Sequence, residues 1–180
     1  DAALRWLDHD PPRLEQARAA LALVASAGSH ASAVLRSVHG LASQSPASHH
    51  TFAADDAVHD MLQLLRAELL QHAIHVEIQL QPGRPPLCAD PVQFRQVITN
   101  VLMNAIETLR HTQGRQRSVL LSSRLDGGMQ HFSIADNGAG IAPQAAGRLY
   151  DALYSSKPGG MGLGLAICRR IVDAHGGRLW

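Results

Sequence analysis

Aromatic side chains are scarce here: three Phe, two Tyr and two Trp, 4% of a 180-residue chain. A buried core must therefore come from Leu, Val, Ile and Ala, and the 46% hydrophobic content is enough to supply one. Cysteine is nearly absent. Cys88 and Cys168 stand in neither a metal-type spacing nor a disulfide framework, which excludes a disulfide-stapled scaffold and makes a reducing, cytoplasmic setting the expectation. Net charge is also lacking, at +1, so nothing electrostatic argues for nucleic acid or an anionic membrane as partner. No apolar run is long enough to span a bilayer, and no basic stretch followed by an apolar one opens the chain; a longer parent protein would still be free to carry a membrane anchor elsewhere. Lysine is the last scarcity. Lys157 is the only Lys among 16 basic residues.

The length suits one ordinary domain and an appendage. The appendage reads as helix. Leu14, Leu21, Gly28 and Leu35 are seven apart, and Ala17, Val24, Ala31 and Val38 repeat the spacing three residues on. This predicts one helix over 13–43 with an a/d seam. Pro11 and Pro12 stop it from extending backwards, and Ala2–Leu7 reads as the end of a preceding helix, so residues 1–46 are taken as part of a helical hairpin. The plainer alternative is an amphipathic helix lying on the following domain.

A polar linker, 43–51, contains Pro46. Beyond it the pattern predicts a helix over Asp55–His72, a strand over His75–Leu80 and a short extended piece at Leu87–Ala89. Asp90 reads as an N-cap with Pro91 at the first helical position and Gln93 completing a capping box, for a helix reaching Arg110. Ser118–Leu125 and Gln130–Ala135 form a hairpin around Asp126-Gly127-Gly128. A short helix, a helix over about 162–175 and a strand starting at Gly177 complete the prediction. Helices alternate with hairpins over 51–180. The fold class is therefore α+β, a two-layer sandwich with helices on one face of a mixed sheet.

Three segments carry chemistry. In the first, Gln96–Glu107, Asn100, Asn104 and Glu107 share one helix face while Val97, Ile98, Val101, Leu102 and Ile106 largely face a core. Amide and carboxylate oxygens suit a hard cation such as magnesium, although helix Asn residues are commonly just solvated. The second, DNGAGI, spans Asp136–Ile141 after a strand. Gly138 and Gly140 let the backbone approach a flat ligand, and Asp136 can accept a hydrogen bond from adenine's exocyclic amine, where guanine presents an acceptor. The competing reading is an ordinary strand-end turn. In the third, Ser155–Gly177, glycines 159, 160, 162 and 164 lead into a helix just after Lys157. Backbone N–H groups at a helix start, together with a mobile ammonium, suit phosphate. A Walker A loop is excluded because the glycines follow the lysine. Each segment alone is weak; their order is specific.

In that order they resemble the catalytic ATP-binding domain of bacterial sensor histidine kinases, of the gyrase, chaperone, kinase and mismatch-repair ATPase superfamily, over residues 51–180. NVLMNAIE resembles the N box, DNGAGI and GMGLGL the two glycine boxes, and Arg148–Gly160 the aromatic box and nucleotide lid, with Tyr150 and Tyr154 where Phe is usual. The heptad helix resembles the second helix of the dimerisation and phosphotransfer hairpin. The resemblance implies a Bergerat-type fold and Mg2+ with ATP or ADP as cofactors. It assigns the metal to Asn104, places Asn100 and Glu107 beside the phosphates, gives the phosphates to Lys157, Gly160, Gly162 and Gly164 and the base to Asp136, Gly138 and Gly140, and counts Leu163 among the ATP-binding residues and Arg148 as a further phosphate contact. Asn100, Glu107 and Lys157 would be the catalytic group. A receiver domain of a response regulator and a second copy of the parent protein are the implied partners.

Hydrolases of the superfamily carry Glu where Asn100 stands, and an amide is no general base, so transfer to a protein is expected rather than hydrolysis. No histidine of the 11 fits the phosphoacceptor pattern. His9-Asp10 lies at a helix break, His59-Asp60 lacks the later proline, and His30 and His39 lack the acid. The acceptor is expected upstream of Asp1, and a further hairpin beyond Trp180. The alternatives are a non-catalytic nucleotide-binding or dimerisation module and an ATP hydrolase.

Overall fold

The computed structural model of the chain describes residues 2–7, 9, 11–24, 48–155 and 162–180. The heptad positions Gly28, Ala31, Leu35 and Val38, the linker residue Pro46, and Lys157, Gly159 and Gly160 lie outside the described residues. The chain divides into two compact units, Asp1–Gln44 and Ser45–Trp180.

In the first unit, α1 (Ala2–Leu7) and helical residues 14–24 (α2) are separated by the Pro11-Pro12 break. The Arg13 amide donates to the Trp6 carbonyl at 2.9 Å, and its guanidinium lies 5.3 Å over the Trp6 ring. Three seam positions, Leu14, Leu21 and Val24, are exposed.

In the second unit, β1 (His50–Phe52) pairs antiparallel with β3 (Leu87–Ala89). The main sheet has the order β2-β4-β5, from Ile74–Leu80, Arg117–Asp126 and Met129–Asp136. β2 runs parallel to β4 and β4 antiparallel to β5, so the sheet is mixed, as expected. The two-residue loop Gly127-Gly128 closes the β4–β5 hairpin, with Asp126 paired to Met129.

The helices α3 (Ala54–Leu64), α4 (Arg66–Gln71) and α5 (Pro91–Arg110) contribute Val58, Leu69, Ile98, Leu102, Ile106 and Leu109, and the α3–α4 junction Leu65, to one core with Ile74, Val119 and Leu121 of the sheet. Their spacing explains this. Ile98, Leu102, Ile106 and Leu109 recur every three or four residues, and Val119 and Leu121 alternate along β4. The three Phe come together between α5 and the strands. Phe94 of α5 packs edge-on against Phe52 of β1 and Phe132 of β5, with ring centroids 5.6 and 5.2 Å away.

Three expectations are corrected. The helix over Asp55–His72 is two helices, broken at Leu65. The end of the linker is a strand, β1, whose partner β3 is remote in sequence. Residues 177–180 pair with no strand among the described residues; His131 packs edge-on against Trp180 there. α6 (Pro143–Ala146) and α7 (Gly164–Ala174) complete the unit, α7 packing against α5.

Candidate functional site

α5 is the spine of the site, and both its ends are fixed. At its start, the Asp90 carboxylate accepts from the amides of Val92 (2.9 Å), Gln93 (3.1 Å) and Ser48 (3.4 Å). Burial would push this carboxyl up, but the Gln93, Val92 and Ser48 donors and the nearby His175 outweigh it and hold Asp90 below the usual carboxylate range. The capping box is corrected in its second half. The Asp90 amide donates to His175 Nε2 at 3.0 Å rather than to Gln93, and His175 Nδ1 bonds the Ile171 carbonyl at 2.8 Å. A histidine remote in sequence thus joins the start of α5 to the end of α7. At the other end of α5, the Arg117 guanidinium donates to the carbonyls of His72 (2.8 Å), Thr112 (3.1 Å) and Arg110 (3.4 Å), a cation placed on two helix C-termini.

Along α5, Asn100 and Asn104 are half-buried one turn apart, and Glu107 is exposed. Asn100 Nδ2 reaches the Gly164 carbonyl at 3.5 Å, where α7 begins. Beside it, burial pushes the Cys168 thiol up to about 11, against the pull of Asn100, so Cys168 is core filling and not a nucleophile. One turn beyond Asn104, the Thr108 hydroxyl donates to the Asn104 carbonyl at 2.9 Å.

The first glycine segment meets α5 at Thr108. A Cβ on Gly138 would lie 2.5 Å from Thr108 Cγ2 and 2.6 Å from Asp136 Oδ1. Only glycine brings this turn so close. Within the turn, the Gly138 amide donates to Asp136 Oδ1 at 2.8 Å, and the Asp136 side chain is exposed. Gly140 follows in the same turn with φ +75°. A groove of about 340 Å³ lies between this turn and the end of α5, lined by Thr108, His111, Thr112, Arg115 and Ala139 among others.

The second segment is built differently. A Cβ on Gly162, at φ +64°, would overlap the backbone N, C and O of Tyr154. The Leu153 amide donates to the Gly162 carbonyl at 3.1 Å, with Leu153 itself in the left-handed region. Leu163 is buried, and Gly164 opens α7. No side chain among the described residues caps α7, and its first turn contains no acid, so its N-terminal amides suit an anion. Arg148 is turned to protein groups, 4.2 Å over the Tyr154 ring and 3.5 Å from Asp151.

The structure therefore joins Asn100 to Gly164, and Asp136 to Gly138 and Thr108. Sequence reading missed Thr108, Asn137, Arg115 and His175. Thr108 and Asn137 adjoin or lie within the motifs and were within reach. Arg115 and His175 act across the fold and leave no local trace.

Residues 89–180, about half the chain, match the family described as histidine kinase-, DNA gyrase B- and HSP90-like ATPases. The chain belongs to this family. It is 28% identical over its full length to the sensor histidine kinase TmoS of Ectopseudomonas mendocina, covering 19% of that protein. It is 29% identical to the sensor protein TdiS of Thauera aromatica, over 99% of the chain and 34% of TdiS. Among solved structures, full-length ShkA in complex with AMPPNP superposes over 90% of the chain and 34% of ShkA, with a TM-score of 0.71 and 28% identity. The module is thus the ATP-binding catalytic module of sensor histidine kinases. It spans about a third or less of the length of these relatives. Among the described residues, no helix is long and apolar enough to cross a membrane.

Proposed function

We propose that this module positions Mg-ATP for transfer of the γ-phosphoryl group to a histidine on a dimerisation hairpin of its parent protein, the first step of a two-component relay. The observation that carries the reading is the Asp136–Gly138–Thr108 contact. The exposed Asp136 carboxylate accepts from the Gly138 amide through one oxygen, and Gly138 lies against Thr108 of the helix that also bears Asn100 and Asn104, which supports reading this turn as the base pocket. The second oxygen accepts adenine's exocyclic amine, where guanine would oppose acceptor to acceptor. Gly138 and Gly140 form the wall against the base. Gly162, Leu163 and Gly164 lead into the uncapped start of α7, which takes phosphate oxygens, with Lys157 and Gly160 before them.

The donor set suits magnesium. Among the described residues, no three His, Cys, Asp or Glu side chains converge as a metal site. The amide oxygen of Asn104, with water and phosphate oxygens, would give magnesium an all-oxygen shell, and the cation bound there would neutralise phosphate charge. Asn100 holds the start of α7 in place and cannot take a proton from water, which favours phosphoryl transfer over hydrolysis. Glu107 and Lys157 complete the catalytic group, the lysine as a mobile countercharge. Arg148 joins the phosphates only by leaving Tyr154 and Asp151. A receiver domain of a response regulator is the proposed downstream partner, and residues 1–46 are the proposed remnant of the hairpin through which the parent dimerises.

Calorimetric titration of ATP and GTP into the chain and its Asp136→Asn variant, with and without magnesium, tests this. ATP should bind about tenfold or more tightly than GTP, and the substitution should cost a similar factor in ATP affinity. A folded wild type that fails to distinguish the two bases overturns the base assignment. With binding established, failure to phosphorylate a supplied hairpin carrying the acceptor histidine overturns the transfer reaction.

A further inference from the structure

The direction of the Asp136 carboxylate is set by the turn that holds it, and the turn is held in place by the segment that opens β4. Asn137 makes three bonds to that segment. Its amide donates to the Ser118 carbonyl at 3.2 Å, its side-chain oxygen accepts from the Ser118 amide at 2.9 Å, and its side-chain nitrogen donates to the Gln116 carbonyl at 2.7 Å. The side chain thereby continues the β4–β5 ladder, whose last backbone pair is Val119 with Asp136. Arg115, just before, donates from Nη2 to the Gly138 carbonyl at 2.6 Å, a charge-assisted bond. Gly138 is thus fixed three ways: its amide by Asp136, its carbonyl by Arg115, and its Cα face by Thr108.

We propose that Arg115 and Asn137 form a clasp that positions the Asp136 carboxylate and thereby sets the selectivity of the base pocket. Both are positioning residues, acting through Asp136, and the inference rests on the nucleotide reading above. Without the Arg115 bond, the carbonyl end of Gly138 loses its anchor and the turn is held from the Asn137 side alone. The whole turn is then freer to shift, the Gly138 amide with it, and the Asp136 carboxylate that this amide holds is aimed less narrowly at the exocyclic amine. A bond to a ligand that depends on angle suffers from such freedom; contacts to the phosphates, made elsewhere on α5 and α7, do not.

That asymmetry supplies the test. ATP and purine riboside triphosphate, which lacks only the exocyclic amine, are titrated into the wild type, Arg115→Ala, Arg115→Lys and Asn137→Ala, with folding checked by thermal melting. The wild type should prefer ATP by about tenfold. Arg115→Ala should reduce that preference to about threefold or less while purine riboside triphosphate binds within about twofold of wild type, and Arg115→Lys, which keeps one donor, should restore part of it. Asn137→Ala should reduce the preference as well. If the variants weaken both nucleotides equally and leave the preference unchanged, the clasp is only structural and the inference fails. If the wild type shows no preference for ATP, the base assignment itself fails, and the clasp with it.

Discussion

The two glycine segments look alike in the sequence but are held by different forces. In the first, Gly138 approaches a side chain, Thr108, and the turn is fixed by side-chain bonds from Asp136, Asn137 and Arg115. In the second, Gly162 approaches backbone, that of Tyr154, and the bond that fixes it runs from the Leu153 amide. A side chain can be shortened or turned aside, and a backbone cannot. Both segments end on α5, the first at Thr108 and the second through Asn100. The same motif letter therefore marks a contact the protein can repair and one it cannot.

Gly162→Ala should have the largest effect. The new Cβ meets three backbone atoms at a φ of +64°, so the backbone must move on one side of the contact or the other. Left-handed strain costs about 1–2 kcal/mol, and overpacking adds about 1–3 more. The thermal midpoint of the second unit should fall accordingly and ATP affinity should drop by about tenfold or more. Truncating neighbouring side chains should rescue neither. A melt within error of wild type would show that the contact yields freely and would dissolve the distinction between the segments.

Gly138→Ala should cost less, about 1–3 kcal/mol, and should be repairable. Thr108→Ala removes the Cγ2 atom that the new Cβ would meet at 2.5 Å, leaving the contact with Asp136 Oδ1 at 2.6 Å. The double variant should therefore recover stability more fully than adenine selectivity, because the remaining crowding bears on the carboxylate that reads the base. Strict additivity of the two substitutions, measured as a double-mutant cycle, would deny the coupling.

What was legible in the sequence follows the range of the forces involved. The core of α5 was readable because Ile98, Leu102, Ile106 and Leu109 repeat at helical spacing, and the hairpin because its glycine loop sits between alternating strands. The Asp90 cap was readable because it is local. The strand β1 was not: three residues ending a polar linker give no periodicity, and they form a strand only because β3 lies alongside. The other half of the capping box was misassigned for the same reason, since His175 lies 85 residues from the amide it accepts. At the site, the sequence supplied Asp136, Asn100 and the glycines by motif. It left out Thr108, Asn137 and Arg115, which determine where those groups point.

Asp90→Ala supplies the control that separates stability from aim, with the smallest effect of the set. Asp90 caps the helix that both segments lean on; its carboxylate bonds neither glycine turn, and its amide's bond to His175 at the end of α7 is a backbone bond that the substitution keeps. Losing the cap should cost about 1 kcal/mol, with ATP-over-GTP selectivity unchanged. The pH dependence fixes the mechanism. Because folding holds the Asp90 carboxyl below its usual range, its stabilisation is fully present above the unfolded value, near 4, and is lost as pH falls through the lower folded value. Wild type and variant should therefore differ most at neutral pH, and the gap should narrow as pH falls below about 4 and close below the lower folded value. A gap that persists in acid would mean that the carboxylate's charge is not what the cap contributes. A loss of base selectivity at neutral pH would mean that the Asp136 turn takes its aim from the whole length of α5, and not from Thr108 and the start of β4 alone.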